Sequence, residues 1–431
     1  VVGGGLAGLA AAWWLARAGH APTLFEAAAT PGFTAHNVAI EHGGTVHRID
    51  VPLRVFYPGY YPTLAALYAE LGIASEPVDY AATLCGPDRR PYFRYRNLRL
   101  GDSALGWLAP QDVLLGAPAR RIVAGLLRLH REGRHDLQGG QCGAVSIADY
   151  LAQAGYPPDF VDRFVLPALC TVATCSTAAG REVPAAVVLD YMARGLARQA
   201  VRRVAAGADA VLAPILPRLA ALHCAADVQR VRLDAEQVVV AWTDSTAGSR
   251  PGPSREARFD HAVLACPAPR SARLAADAGA AADAAVLGGF RYAPLEVLSH
   301  RDAALLPARQ RDWSPVNLHL EPGAIGPEAT IWLNRVQPVL RDAAPVFQTV
   351  QPAREPAPHL LLGRSRFERP LVDGGTAARL AELHALLAQP GRRIWYCGSY
   401  AEAGIPLLES AVASARRVVQ HIGAASANRD R

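Results

Sequence analysis

The eight residues that open the chain constrain it most. Val1-Val2-Gly3-Gly4-Gly5-Leu6-Ala7-Gly8 reads as the end of a strand, a glycine turn and the start of a helix. Gly3, Gly5 and Gly8 stand in the spacing G-x-G-x-x-G. Gly3 allows the tight turn, Gly5 lets a pyrophosphate approach bare backbone, and Gly8 lets the helix lie close to the strand. The helix N-terminus then offers free N–H groups and the positive end of its dipole to the phosphates. Ala10 to Arg17 continues as a helix that Gly19 can close, and Ala21 to Phe25 reads as a second strand. That strand ends in Glu26, where an acid accepts hydrogen bonds from a ribose. A helix–strand packing turn with no ligand is the weaker reading in this context.

With 431 residues the chain is too long for one ordinary core. A hydrophobic fraction of 51% and a charged fraction of 19% fit a packed globular enzyme and argue against disorder. No apolar run is long enough to span a membrane. The net charge is +6, and every one of the 44 basic residues is arginine. Without lysine there is no lysyl base, no Schiff-base amine and no ammonium to hold water at a cofactor. The seven cysteines are scattered with no C-x-x-C pair, and no metal-ligand spacing occurs, so no metal is expected and a reduced, cytoplasmic setting is the default. The chain begins inside its first strand, so a targeting signal upstream would be invisible. Arg89 to Arg99 interleaves arginine with aromatics. It reads first as a strand with a solvated arginine face, then as a patch for an anionic substrate or peripheral membrane contact, and least as a nucleic-acid surface.

Read in order, residues 1 to about 50 form a βαβ unit, and Leu64 to Leu71 a helix stopped by Gly72. From about 76 to 205 a short strand region gives way to amphipathic helices, among them Ala119 to Leu129, Ile147 to Ala154, Pro158 to Ala168 and Ala185 to Arg203. Ser146 with Asp149 is a simple helix cap. Strands return at Val228 to Val231, Gln237 to Trp242 and Phe259 to Leu264, around a Ser/Gly/Pro/Arg-rich loop from Thr243 to Glu256. Strand-like runs between 285 and 367, including Ala329 to Val336, predict an antiparallel sheet. Thr376 to Leu387 is a helix, Arg393 to Gly398 a core strand, and Leu407 to Ile422 a final helix.

On these residues the chain resembles the flavin-containing amine oxidase superfamily, which includes monoamine oxidases, phytoene desaturases and protoporphyrinogen oxidases. It looks most like a bacterial NAD/FAD-binding branch linked to cyclopropane fatty-acid genes. The fingerprint with Glu26, Asp50 to Ile73, Phe290 to Gln337 and Arg393 to Ala415 carry the likeness, with Tyr292, His300, Asp302, Pro307, Trp313, Asn317 and Asn334 in the third region. The resemblance implies an α/β fold: a Rossmann-like FAD-binding domain of the GR2 type with an inserted α+β substrate domain. Residues 1–75, 206–270 and 371–431 would form the first, and 76–205 and 271–370 the second. It implies non-covalent FAD held by Gly3, Gly5, Gly8, Glu26, Gly32, Phe33, Val228, Gly398, Ser399, Leu407 and Leu408. Gly398 would let the backbone pass close to the cofactor, and Val228 would anchor adenine through its backbone. Leu407 and Leu408 would aim N–H groups of the last helix at the flavin's N1 and C2=O side, which raises its potential.

The chain departs from the family pattern at several points. Phe33 and Thr34 stand where the family has a second glycine and an Arg or His, which weakens the usual pyrophosphate contact, though His36 or a nearby arginine could substitute. Ser399 replaces an acid. No lysine is available to hold water at the flavin, and Leu407 takes the place of one aromatic wall around an amine. Hydride transfer needs positioning more than a protein base, so desaturase-like and fatty-acid-linked chemistry stays compatible. His300 beside Asp302 and Asn317 after Trp313 are the candidate catalytic residues, contacting substrate or moving a proton. The expected protein is an FAD-dependent oxidoreductase of a small or lipid-like substrate, with dioxygen or a carrier as acceptor. The alternatives are a redox-neutral isomerase of an unsaturated lipid and a non-catalytic flavin-binding subunit.

Overall fold

The computed structural model describes the chain apart from residues 33–35, 101–102, 108–115, 141, 143–144, 195–198, 245–252 and 428–431. Four short strands and the bridging residue Val2 form one parallel sheet. Val2 sits in the middle, bridged in parallel to Phe25 on one side and to Leu264 on the other. Thr23–Phe25 pairs with Ala221–His223, and Ala262–Leu264 pairs with Ile394–Tyr396, all in parallel. Segments from the beginning, middle and end of the chain thus share one sheet. Ala262–Leu264 and Ile394–Tyr396 are buried throughout and read as unbroken apolar runs rather than alternating ones. The Leu6–Arg17 helix packs on the sheet and against the last helix, Leu408–Ala427. A three-stranded antiparallel meander, Ala226–Asp234, Gln237–Asp244 and Ser254–Phe259, branches off before the Ala262–Leu264 strand. Most of the Ser/Gly/Pro/Arg-rich loop lies outside the described residues.

The second sheet has eight strands, in the order Leu361–Pro370, Tyr292–His300, Phe347–Val350, Glu328–Trp332, Val316–His319, Ala82–Cys85, Pro91–Leu100 and Ser103–Trp107. Two expectations need correction here. The region from 76 to 205 is less helical than its composition suggests, because 82–107 supplies three strands. The sheet is also not purely antiparallel: Val316–His319 runs parallel to Ala82–Cys85, joining the two halves. Helices Ala117–Gln138, Ile147–Gln153, Leu166–Ala173, Thr177–Glu182 and Ala185–Ala193 accompany it. Ser146 caps the second of these, its hydroxyl accepting the Asp149 N–H at 3.1 Å. The helix predicted over Ala185 to Arg203 stops at Ala193. Arg202–Val204 is a strand paired with Ser75–Pro77, a long-range partner that no local pattern reveals.

The strand predicted over Ala329 to Val336 ends at Trp332, and Leu333–Val336 coils into a helical turn. The cause is Asn334, whose amide donates to the Leu340 and Ala343 carbonyls at 2.7 and 2.9 Å while its oxygen accepts the Val346 N–H at 2.8 Å. The arginine-rich strand is a strand, but it does not present a solvated face throughout. Arg94 turns inward to pair with Asp312 at 2.9 Å, and Arg89 pairs with Glu328 at 2.9 Å, with the Glu328 side chain only 1% exposed.

Candidate functional site

The glycine turn has the geometry its spacing predicts. Gly3 has φ +103°, and a Cβ there would lie 2.9 Å from the Ala265 carbonyl oxygen. A Cβ on Gly8 would lie 1.9 Å from the Gly3 oxygen, so helix and strand meet at bare backbone. A Cβ on Gly5 would meet no atom within 4 Å. Gly3 and Gly8 are therefore needed by the chain itself, whereas the absence of a side chain at Gly5 answers to nothing in the protein. Gly32 closes on the turn from the following loop, its Cβ position 2.9 Å from the Gly5 nitrogen. Phe33 lies outside the described residues. No side chain caps the Leu6–Arg17 helix at Gly5, which leaves its first N–H groups available to an anion.

Glu26 ends the second parallel strand. One carboxylate oxygen accepts the Gly4 N–H at 2.7 Å, and the other accepts the Ala28 N–H at 2.8 Å. A carboxylate has about four acceptor directions, so capacity remains for ribose hydroxyls. Val228 stands at an irregularity in the pairing of its strand, and its carbonyl accepts Nη2 of Arg270 at 2.6 Å. An adenine using that carbonyl would compete with Arg270.

The C-terminal loop leaves the same, C-terminal end of the parallel sheet as the glycine turn. Gly398 donates its N–H to the Ser414 hydroxyl at 3.0 Å, which fastens the strand end to the last helix. A Cβ at Gly398 would sit 2.7 Å from the Tyr400 ring. Beyond half-buried Ser399, the loop is fixed by the Tyr60 hydroxyl, which accepts the Ile405 N–H at 2.9 Å. Leu407 and Leu408 are half-buried where the last helix begins. Glu409, one residue further, accepts the N–H groups of Thr63 and Leu64 at 3.0 and 2.9 Å. It thereby caps the Pro62–Glu70 helix, and two helix N-termini are held together. Tyr396 turns away from the loop and donates its hydroxyl to Asp283 at 2.7 Å. Cys397 is fully buried, and burial pushes its thiol up to about 12, so it stays protonated and unreactive.

The expected catalytic roles of His300 and Asn317 find no support in their surroundings. His300 is 0% exposed. Its Nδ1 accepts the Asp302 N–H at 3.1 Å, which leaves the proton on Nε2 to meet the Thr349 hydroxyl at 2.7 Å. Thr349 continues to Thr330 at 2.8 Å. Asn317 accepts the Ser314 N–H and donates to the Ser314 and Thr330 carbonyls. The sequence thus selected two members of one buried network that staples the large sheet. Burial drives the imidazole down to about 4, so it is neutral at physiological pH.

Sequence reasoning missed two features. Arg54 lies deep beside Asp50, and with Phe56, Tyr68, Arg203, Gln337 and Leu408 it lines a small hollow at the start of the last helix. It is an arginine of the kind the altered loop after Gly32 calls for, and with burial it holds the His36 imidazole below its ordinary range. The second feature is an aromatic cluster of Tyr57, Tyr60, Tyr61 and Tyr191, with ring centroids 4.6–6.4 Å apart. The run Phe56-Tyr57-Pro58-Gly59-Tyr60-Tyr61 was its only signal in the sequence.

The N–H groups of the turn and the acceptor oxygens of Glu26 are of the kind a dinucleotide's diphosphate and ribose require. Among the described residues no group of three or more His, Cys, Asp or Glu is placed to hold a metal, and no helix is long and apolar enough to cross a membrane.

Comparisons with known proteins agree with this geometry. Residues 1–71 match the family described as NAD(P)-binding Rossmann-like domain. No curated protein sequence matches the chain. Among solved structures it is similar to a CLA-producing fatty acid isomerase from P. acnes, with 15% identity over 97% of each chain and a TM-score of 0.65. It is also similar to putrescine oxidase bound to putrescine, with 15% identity, 98% of each chain and a TM-score of 0.63. A third such structure is cyclohexylamine oxidase from Brevibacterium oxydans, with 15% identity, 98% of each chain and a TM-score of 0.60. The fold implied by the sequence resemblance is the fold of these enzymes, along the whole chain.

Proposed function

We propose that the protein is an FAD-dependent oxidoreductase that takes a hydride from a C–H or C–N bond of a small or lipid-like organic molecule and passes the electrons to dioxygen or a carrier. The observation that carries the reading is the contrast within the glycine turn. Gly3 and Gly8 are required by the chain's own packing, while Gly5 opens onto space beside the uncapped helix N-terminus and Glu26. In this reading residues 1–75, 206–270 and 371–431 hold the cofactor, and 76–205 with 271–370 hold the substrate.

Gly3 to Gly8 would hold the diphosphate, Glu26 the ribose, and Gly398, Ser399 and the start of the last helix the flavin end. Bound there, the flavin would supply a two-electron acceptor. The chain's own part is to orient the substrate and exclude water. The buried tyrosines and the half-buried Leu407 and Leu408 offer a largely apolar wall for that purpose. A redox-neutral isomerase of an unsaturated lipid is the second reading, favoured by the likeness to a fatty acid isomerase.

The test is anaerobic mixing of the yellow protein with candidate lipids. Bleaching with a product two mass units lighter supports the oxidoreductase. An unchanged product mass supports the isomerase. A protein that binds flavin but turns over no ligand would be a non-catalytic subunit.

A further inference from the structure

Arg369 stands where a core residue belongs. The edge strand Leu361–Pro370 alternates strictly: Leu362, Arg364, Arg366 and Glu368 are exposed, while Gly363, Ser365, Phe367 and Arg369 face inward. On such a strand the inward positions are ordinarily apolar. The guanidinium is anchored at two points. Nε donates to the Thr174 hydroxyl at 2.8 Å, and Nη2 donates to the Pro406 carbonyl at 3.0 Å, two residues before the last helix begins. Arginine has five N–H donors, so three remain.

Among the described residues no carboxylate pairs with Arg369. The groups that share its electrostatic surroundings are Tyr61, Tyr292, Cys175 and a second cation, Arg54. Arg54 has Asp50 opposite it, whereas Arg369 has no acid. Arginine does not shed its proton, and Arg369 is half-buried with donors left over. Those free donors suit an anion from outside the chain. Through Pro406, Arg369 is held against the loop expected to face the flavin ring.

We propose that Arg369 receives the carboxylate of an acidic substrate whose apolar body lies among Tyr61, Tyr292 and the Leu407–Leu408 wall. The assignment rests on the oxidoreductase reading and narrows its substrate class to carboxylic acids.

The probes are decanoate and 1-decanol, which share a chain length and differ in charge. Calorimetric titration at pH 8 of the wild type, R369Q, R369K and R366Q reads binding without turnover. R366Q removes an exposed arginine from the outward face of the same strand. Decanoate should bind the wild type at least about tenfold more tightly than the alcohol, the scale of a hydrogen bond to a charged group. R369Q should abolish that preference, R366Q should keep it, and R369K should keep part of it. Equal binding of acid and alcohol to the wild type, or binding of neither, would overturn the proposal. So would an R369Q protein that keeps the acid preference but loses flavin or shows a lowered flavin potential, since the arginine would then serve the cofactor. A preference for decanoate in a protein that takes up no flavin would leave Arg369 as an acid-binding residue and refute the oxidoreductase reading instead. Should R369Q fail to fold, the wild-type acid-to-alcohol ratio and R369K decide.

Discussion

Glu26 holds the Gly4 N–H at 2.7 Å, so the acid that ends the second strand also braces the turn that opens the first helix. The two halves of the dinucleotide fingerprint are one hydrogen-bonded unit before any ligand arrives. A ribose received at Glu26 would meet a carboxylate already oriented, which lowers the cost of binding.

Replacing Glu26 should weaken the cofactor and loosen the turn together. Glu26→Ala is expected to cost about 1.5–3 kcal/mol in FAD affinity, the range for hydrogen bonds to a charged acceptor. Glu26→Gln keeps one acceptor oxygen and should lose less. Equilibrium dialysis against FAD measures both, and undiminished retention by the alanine variant would remove Glu26 from the ribose.

The two glycines Gly5 and Gly8 should part company. Gly8→Ala forces a methyl against the Gly3 carbonyl, so thermal unfolding should drop sharply or the protein should fail to fold. Gly5→Ala meets nothing in the chain, so the apoprotein should melt within a few degrees of the wild type while FAD binding falls at least about tenfold. Apo melting curves and FAD titrations of the pair separate packing from ligand contact. A Gly5→Ala protein with normal affinity would show that no phosphate approaches there.

Much of this was legible in the sequence, and the reasons differ by element. The glycine turn, most of the parallel strands and the last helix were readable because their signals are local: glycine spacing, short apolar runs and a helical period; the strand Ala221–His223 was not read. Arg89 to Arg99 was readable as a strand from its alternation, but Ala82–Cys85 and Arg202–Val204 were not, because they pair with segments far along the chain. His300 and Asn317 looked functional because they are polar residues in apolar strands. The same pattern serves a buried hydrogen-bond network, and only the partners distinguish the two. Arg369 escaped notice in a chain whose basic residues are all arginine.

His300 should act through stability and its pH dependence. The unfolded imidazole takes a proton near 6.5, but the folded one does so only near 4. Between these values the unfolded state binds more protons, so stability falls as pH falls, by up to about 1.4 kcal/mol per pH unit from this group. His300→Gln should cost about 1–3 kcal/mol at pH 7 and flatten the fall between pH 6 and 4.5. Denaturant unfolding at those pH values tests this, and an unchanged slope would contradict it.

Simple primary amines should be poor substrates. The chain has no lysine, Leu407 offers an alkyl rather than an aromatic face, and Tyr396 is turned to Asp283. The uncompensated charge of Arg369 also disfavours an ammonium. Anaerobic stopped-flow reduction with benzylamine, a polyamine and an unsaturated fatty acid checks this. Fast bleaching by either amine with none by the acid would reverse the substrate class.

The central claim is that this chain holds FAD without a covalent link, through the opening glycine turn and the C-terminal loop. Acid precipitation of the purified, FAD-equilibrated protein, followed by mass spectrometry of the supernatant, tests it most directly. The account predicts one FAD released per chain and a colourless pellet, consistent with a Cys397 thiol that stays buried and protonated. Flavin retained in the pellet would contradict the non-covalent claim, and a protein that takes up no flavin, or takes up a nicotinamide dinucleotide in its place, would contradict the account as a whole.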